Sequence, residues 1–109
     1  GGVLQNGSNS VSYATSSDIR LKENIQHTQF GLNALMKIKV CDYTYKADPK
    51  TVHTGFLAQQ LYENYPYAVH VGGEDENLNP WMVDYGKLTP ILTQSVQEQQ
   101  KIIEDLKSK

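Results

Sequence analysis

The apolar residues of this chain follow three patterns in turn. In the first stretch, "GGVLQNGSNSVSYATS", they stand isolated among Gly, Ser and Asn. A segment of that kind cannot bury enough apolar surface to fold alone. Residues 1–16 therefore read as an extended or looped segment, the end of a preceding domain. Denser, charged sequence begins at Asp18, where Leu21 and Ile25 lie four apart, a spacing that allows a short helix or turn.

The second pattern mixes short periods. In "TQFGLNALMKIKV" the positions of Leu32, Leu35 and Met36 favour one or two helical turns. "KVCDYTYK" then alternates, with Val40, Asp42 and Thr44 on one face and Cys41, Tyr43 and Tyr45 on the other, the signature of a strand. Asp48-Pro49 supplies turn chemistry, and "VHTGFLA" reads as the return strand, so residues 40–45 and 52–57 are expected to form a hairpin. "AQQLYENYP" predicts a short helix stopped at Pro66. "YAVHV" predicts a third strand, "GGEDENLN" an acidic loop, and "PWMVDY" a fourth strand or an extended lead-in.

The third pattern is a long helix. Asp84 is a candidate N-cap; the alternative start has Thr89 as cap and Pro90 in the first helical position. Leu92, Val96, Gln99, Ile103 and Leu106 recur in steps of 4, 3, 4 and 3, the heptad alternation of a coiled coil, with Gln99 in one core layer. The helix would run about 27 Å from Pro90 to Lys107. A small domain with few large apolar residues has little surface to cover it, so the stripe reads as an association seam. The expected architecture is α+β: a small antiparallel sheet, short helices and a long C-terminal coiled-coil helix. Residues 17–87 form the core and 88–109 the helix that joins copies.

Composition narrows the function classes. At 109 residues the chain is one domain, with an apolar fraction of 39% and mostly tyrosine among its aromatics. That suits a fold with much exposed area, or one that completes its core by associating. A net charge of −2 without a basic block gives no electrostatic case for nucleic acid. No apolar run approaches the roughly 20 residues of a membrane span. The single cysteine, Cys41, has no internal disulfide partner and sits in an alternating strand, the setting of a small buried packing residue. Nothing in the pattern calls for a cofactor or a metal.

The segment with chemistry is "SSDIRLK". Ser17 and Lys22 could act as a Ser–Lys dyad, the lysine taking the hydroxyl proton once desolvation or a nearby cation favours its neutral form. Arg20 is a candidate for that cation, and Asp18 could orient the backbone or pair with Arg20. Spacing works against the pair, because residues five apart point to opposite faces of a strand and lie about 140° apart on a helix. They can meet only across a turn or between subunits. The alternative is a solvated turn capped by Asp18.

Three ordered blocks carry a family resemblance. "SDIRLKENI" closely resembles the Ser-Asp-x-Arg-x-Lys-x-x-Ile signature that opens the C-terminal intramolecular chaperone domain of phage endosialidases, tailspikes and tail or neck fibres, a self-cleaving serine peptidase domain found also in the myelin regulatory factor of animals. "HTGFLAQQL" is similar to that family's His-x-Gly-Phe-x-Ala-Gln-Glu segment, and "VDYGKLTPILTQSVQEQQKIIEDL" to its closing helix. The resemblance spans residues 17–106. It implies a homotrimer whose partners are its own copies and the preceding fibre or stalk segment, folded in the host cytoplasm during virion assembly. It further implies release by cleavage between Ser16 and Ser17, with Ser17 as nucleophile, Lys22 as base, and His53 and Gln59 in supporting roles. Gln60 departs from the family's glutamate, and Gln99 from its usual aliphatic residue. Two other readings stay open: a non-cleaving fibre-tip module that binds a host receptor through Tyr62, Tyr65, Tyr67 and Trp81, and the cleavage domain of a membrane-tethered transcription factor.

Overall fold

A computed structural model describes the backbone of residues 2–5 and 11–13 and the whole of residues 14–109. Residues 1 and 6–10 of the expected extended segment lie outside the described residues. Within the segment, two antiparallel strands form, β1 (Gly2–Gln5) and β2 (Val11–Ala14), in the register Gly2↔Ala14 to Gln5↔Val11.

The class is α+β, as expected, but the strands do not join into one sheet. Among the described residues there are three separate two-stranded antiparallel sheets. In the second, β3 (Cys41–Tyr45) pairs with β4 (Asp48–Gly55), and the turn falls at Lys46-Ala47 rather than at Asp48-Pro49. Asp48 and Pro49 instead begin β4, a position where the missing proline N–H leaves no gap in the ladder. Phe56 and Leu57, expected to prolong the strand, leave it, and Leu57 becomes the N-cap of the next helix. Cys41 is half-buried rather than buried.

Two short helices flank this hairpin. Gly31 precedes α1 (Leu32–Leu35), a single turn, and Leu57 precedes α2 (Ala58–Asn64). Ala58, Gln59, Gln60, Leu61 and Glu63 of α2 are good helix formers, and no residue of it is β-branched. Tyr65 N–H closes on Leu61 O at 2.8 Å, and Pro66 then opens a 3-10 turn, Pro66–Ala68. That turn absorbs part of the predicted third strand. Only β5 (Val69–His70) and β6 (Met82–Val83) pair, Val69 facing Val83. The acidic loop between them is pinched shut where Gly73 N–H donates to Asn79 O at 2.8 Å. Gly72 is needed at this neck, since a Cβ there would overlap the Asn79 carbonyl and the Pro80 backbone.

Asp84 accepts from Gly86 N–H and caps a 3-10 turn, Tyr85–Lys87, which runs directly into α3 (Leu88–Lys107). Asp84 is thus a cap, but of this 3-10 turn; α3 itself has Lys87 at its N-cap with no side-chain bond, so neither predicted start is that of the long helix, and Pro90 falls inside its first turn. The core is small: Leu61, Tyr65, Ala68, Leu88 and Ile91, with Phe30, Leu35, Ile38 and Phe56 among the side chains packed around it. Tyr65 links the elements, its hydroxyl donating to Lys87 O at 3.1 Å and its ring meeting Phe30 edge-on. Being buried, it cannot serve as an exposed contact residue, unlike Tyr62 and Tyr67.

Helix α3 has two apolar faces of different fate. Leu88, Ile91 and Ser95 are buried against the body. Leu92, Val96, Ile103 and Leu106, the heptad stripe, all stay between 40% and 63% exposed, and Gln99 is exposed with them. The chain exposes 9392 Å² in total, against about 6,100 Å² for a compact monomer of its mass.

Candidate active site

The segment 15–26 leads into the body as an arm. Every residue of it is exposed except Asp18, which is half-buried. Local hydrogen bonds give it shape. Asp18 sits in extended geometry and caps a 3-10 turn, Ile19–Leu21, by accepting Arg20 N–H at 2.9 Å. Leu21 N–H donates to Asp18 O at 3.0 Å, and Lys22 N–H to Ile19 O at 3.1 Å. Two residues on, Asn24 takes a left-handed φ of 54°, which asparagine tolerates better than most side chains and which redirects the chain.

That turn brings the two reactive side chains together. Lys22 Nζ donates to Ser17 Oγ at 2.6 Å. The pair meets across a turn within one chain, one of the two arrangements open to residues five apart. Asp18 also forks onto Arg20: Nε donates to Oδ1 at 3.1 Å, and Nη2 to Oδ2 at 2.7 Å. The Arg20 guanidinium holds the Asp18 carboxyl below its ordinary value, and the carboxylate raises the guanidinium in return. The arginine charge is thus matched by Asp18 instead of being free to act on Lys22.

His53 and Gln59 lie elsewhere. His53 is on β4, its ring beside those of Tyr43 and Tyr45 with centroids 5.8 and 5.2 Å away. Gln59, in the first turn of α2, lines an open cleft of about 420 Å³ with Tyr43, Tyr45, Phe56, Trp81 and Tyr85. Among the described residues no hydrogen bond links Ser17 or Lys22 to either His53 or Gln59. Tyr45 and partial desolvation push the Tyr43 phenol up to about 12. Gly55 lets this cluster close, because a Cβ there would strike the Tyr85 hydroxyl.

One residue the sequence reading passed over ties the long helix to the body. Glu98 of α3 reaches back 66 positions so that Leu32 N–H donates to its Oε2 at 2.8 Å, capping α1. Gly31 makes room, since a Cβ there would collide with that carboxylate. The signal was a glycine directly before an apolar turn, but nothing local names its distant partner. Among the described residues no three His, Cys, Asp or Glu side chains gather to hold a metal ion, and no helix is long and apolar enough to cross a membrane.

Residues 17–70 match the family model Peptidase_S74, described as chaperone of endosialidase. The match begins at Ser17 and includes the whole dyad segment and the hairpin. A comparison with curated proteins finds no match.

Proposed function

The chain belongs to the chaperone-of-endosialidase peptidase family, and from that membership we propose that it is an intramolecular chaperone which assembles as a trimer, guides the folding of the segment before it, and then cuts itself free between Ser16 and Ser17. The observation that carries the cleavage half is the 2.6 Å contact between Lys22 Nζ and Ser17 Oγ. In that contact Nζ is the donor. Once Lys22 has lost a proton, the direction reverses and the hydroxyl donates to Nζ. Oγ then attacks the Ser16 carbonyl carbon while Nζ takes its proton. The Ser16–Ser17 C–N bond breaks, the Ser17 amine receives the proton, and the Ser16 acyl group is left as an ester on Oγ. Water hydrolyses that ester, giving a carboxylate at Ser16 and a free hydroxyl and amine at Ser17.

A lysine can act as base only where water is excluded or the local charge favours its neutral form. In the single chain the arm is open, with Ile19, Leu21 and Ile25 each 69–79% exposed. Those side chains, and the exposed stripe of α3, support a reading in which neighbouring copies cover the arm and complete the site. Cleavage would then follow assembly, which suits a chaperone used once. The parent protein would belong to a virion tail or neck fibre, folded in the host cytoplasm.

The test is a denaturing gel of the purified chain beside Ser17→Ala and Lys22→Met. The wild type is expected to yield a fragment whose N-terminal residue is Ser17, and both variants a single full-length band. Identical full-length bands in all three after long incubation overturn the cleavage half. Light scattering that gives a monomer at micromolar concentration overturns the trimer half. Tyr62, edge-on to Trp81, and Tyr67 leave exposed aromatic surface, which keeps a second reading in view: a trimeric fibre tip that stays attached and binds a receptor. Persistence of the domain in mature particles would favour it.

A further inference from the structure

Five residues of extended chain span about 17 Å, far beyond what a lysine side chain closes by reaching back. The Ser17–Lys22 contact therefore depends on whatever holds the intervening turn. Packing does not, because every residue from 19 to 26 is exposed. An isolated helical turn is costly to form without help, since several dihedrals are fixed for each hydrogen bond gained. The help on hand is one carboxylate. Asp18 accepts the Arg20 backbone N–H and also the Arg20 guanidinium, fastening both ends of one residue to the start of the turn. The charged groups of the arm around Lys22 are Asp18, Arg20 and Glu23, with His27 further on beside Gln94 of α3.

We infer that Asp18 is the positioning residue of the dyad, closing the turn that delivers Lys22 to Ser17. The inference rests on the self-cleavage reading above. Two substitutions test it. Asparagine at position 18 keeps an acceptor for the Arg20 N–H, because asparagine caps about as well as aspartate. Alanine removes that acceptor.

The experiment measures the rate of self-cleavage of the full chain. Asp18→Ala is expected to lower that rate about tenfold through loss of the cap, and the conservative Asp18→Asn, which keeps the cap, to restore it to within about threefold of wild type. A rate in Asp18→Ala equal to that of the wild type, or one in Asp18→Asn as low as in Asp18→Ala, overturns the inference. A second readout needs no cleavage. In the Ser17→Ala chain, the Arg20 Nε–H resonance is expected to lose its carboxylate-bonded shift, and the Leu21 and Lys22 amides their protection, when Asp18→Ala is added. If those signals do not change while the wild type cleaves, the inference fails and the function stands. If they change as expected while the wild type stays intact, the self-cleavage reading fails and the turn assignment stands.

Discussion

The arm and the body are held by opposite kinds of interaction. In the arm the bonds run between residues two to five apart: Asp18 to Arg20, Ile19 to Lys22, Ser17 to Lys22. In the body the decisive bonds run between residues far apart in sequence, Asn64 to Lys37, Tyr65 to Lys87, Leu32 to Glu98. The arm has no core; the body has little else to hold it. The Ser17–Lys22 contact thus sits on a locally formed turn, while the body depends on bonds between residues far apart in sequence. Segments with few buried contacts sit at the low end of local stability, where elements that must rearrange are found.

The sharpest way to break the comparison is to damage one region and watch the other. Ile91, 1% exposed, is the centre of the packed face of α3. Ile91→Ala is expected to destabilise the body by about 2–5 kcal/mol, read as a shifted midpoint in urea with unchanged slope. The arm should not notice, so the Arg20 side-chain resonance should keep its position until the body unfolds. Loss of both signals in one transition would make arm and body a single cooperative unit and end the distinction.

Smaller effects come from the long-range bonds. Glu98→Ala leaves the Leu32 N–H without its partner in a half-buried place, a loss of about 1–3 kcal/mol. Gly31→Ala is expected to act through the same contact, because its Cβ would displace the Glu98 carboxylate. The double variant should therefore cost less than the sum of the two, a coupling that a double-mutant cycle measures. Tyr65→Phe comes next, at about 1 kcal/mol, since it removes the hydroxyl bond to Lys87 O but keeps the buried ring. Strict additivity of Gly31→Ala and Glu98→Ala would show that they act on separate features.

The same contrast explains what could be read from residues alone. The dyad segment and its need for a turn were legible because everything that shapes the arm lies within six residues. The helical turn at residues 32–35, the helix after Leu57 and the Asp84 cap follow from local composition and are present. The hairpin's turn was misplaced by two residues: Asp48-Pro49 has turn chemistry, but pairing of Tyr45 with Asp48 decided the register. The four strands did not merge into a sheet, because the pairing of β5 with β6 is set by the pinch at Gly72 and Asn79, which no periodicity announces. In α3 the heptad was visible, but not that the helix also buries an adjacent face through Leu88, Ile91 and Ser95. Cleft residues such as Tyr43 and Tyr85 come together only in three dimensions, and Glu98 names its partner only across 66 positions.

The gentlest probe is acid, and it should separate locally held features from the packed core. Asp18 lies below its ordinary 3.8 because Arg20 hydrogen-bonds its charged form, and Asp48 below 3.8 because Thr51 and the Lys50 N–H do the same. A carboxyl depressed in the folded state contributes stability that is fully present above its unfolded value and is lost as pH falls through the folded one. Asp48 is exposed and Asp18 no more than half-buried, so salt screens them and the effect is small. Titration below about pH 4 is therefore expected to loosen the 3-10 turn of the arm and the start of β4, both local features, before it unfolds the core around Tyr65 and Ile91. Followed by NMR, the amides of Arg20 and Lys50 should shift together in that window while those of Leu61 and Ile91 hold still. In about 1 M salt the Arg20 change should shrink more than the Lys50 change, because the first depends on a full ion pair and the second on neutral donors. Core amides that moved in step with Arg20 would mean that the arm's charge pair reaches into the body after all.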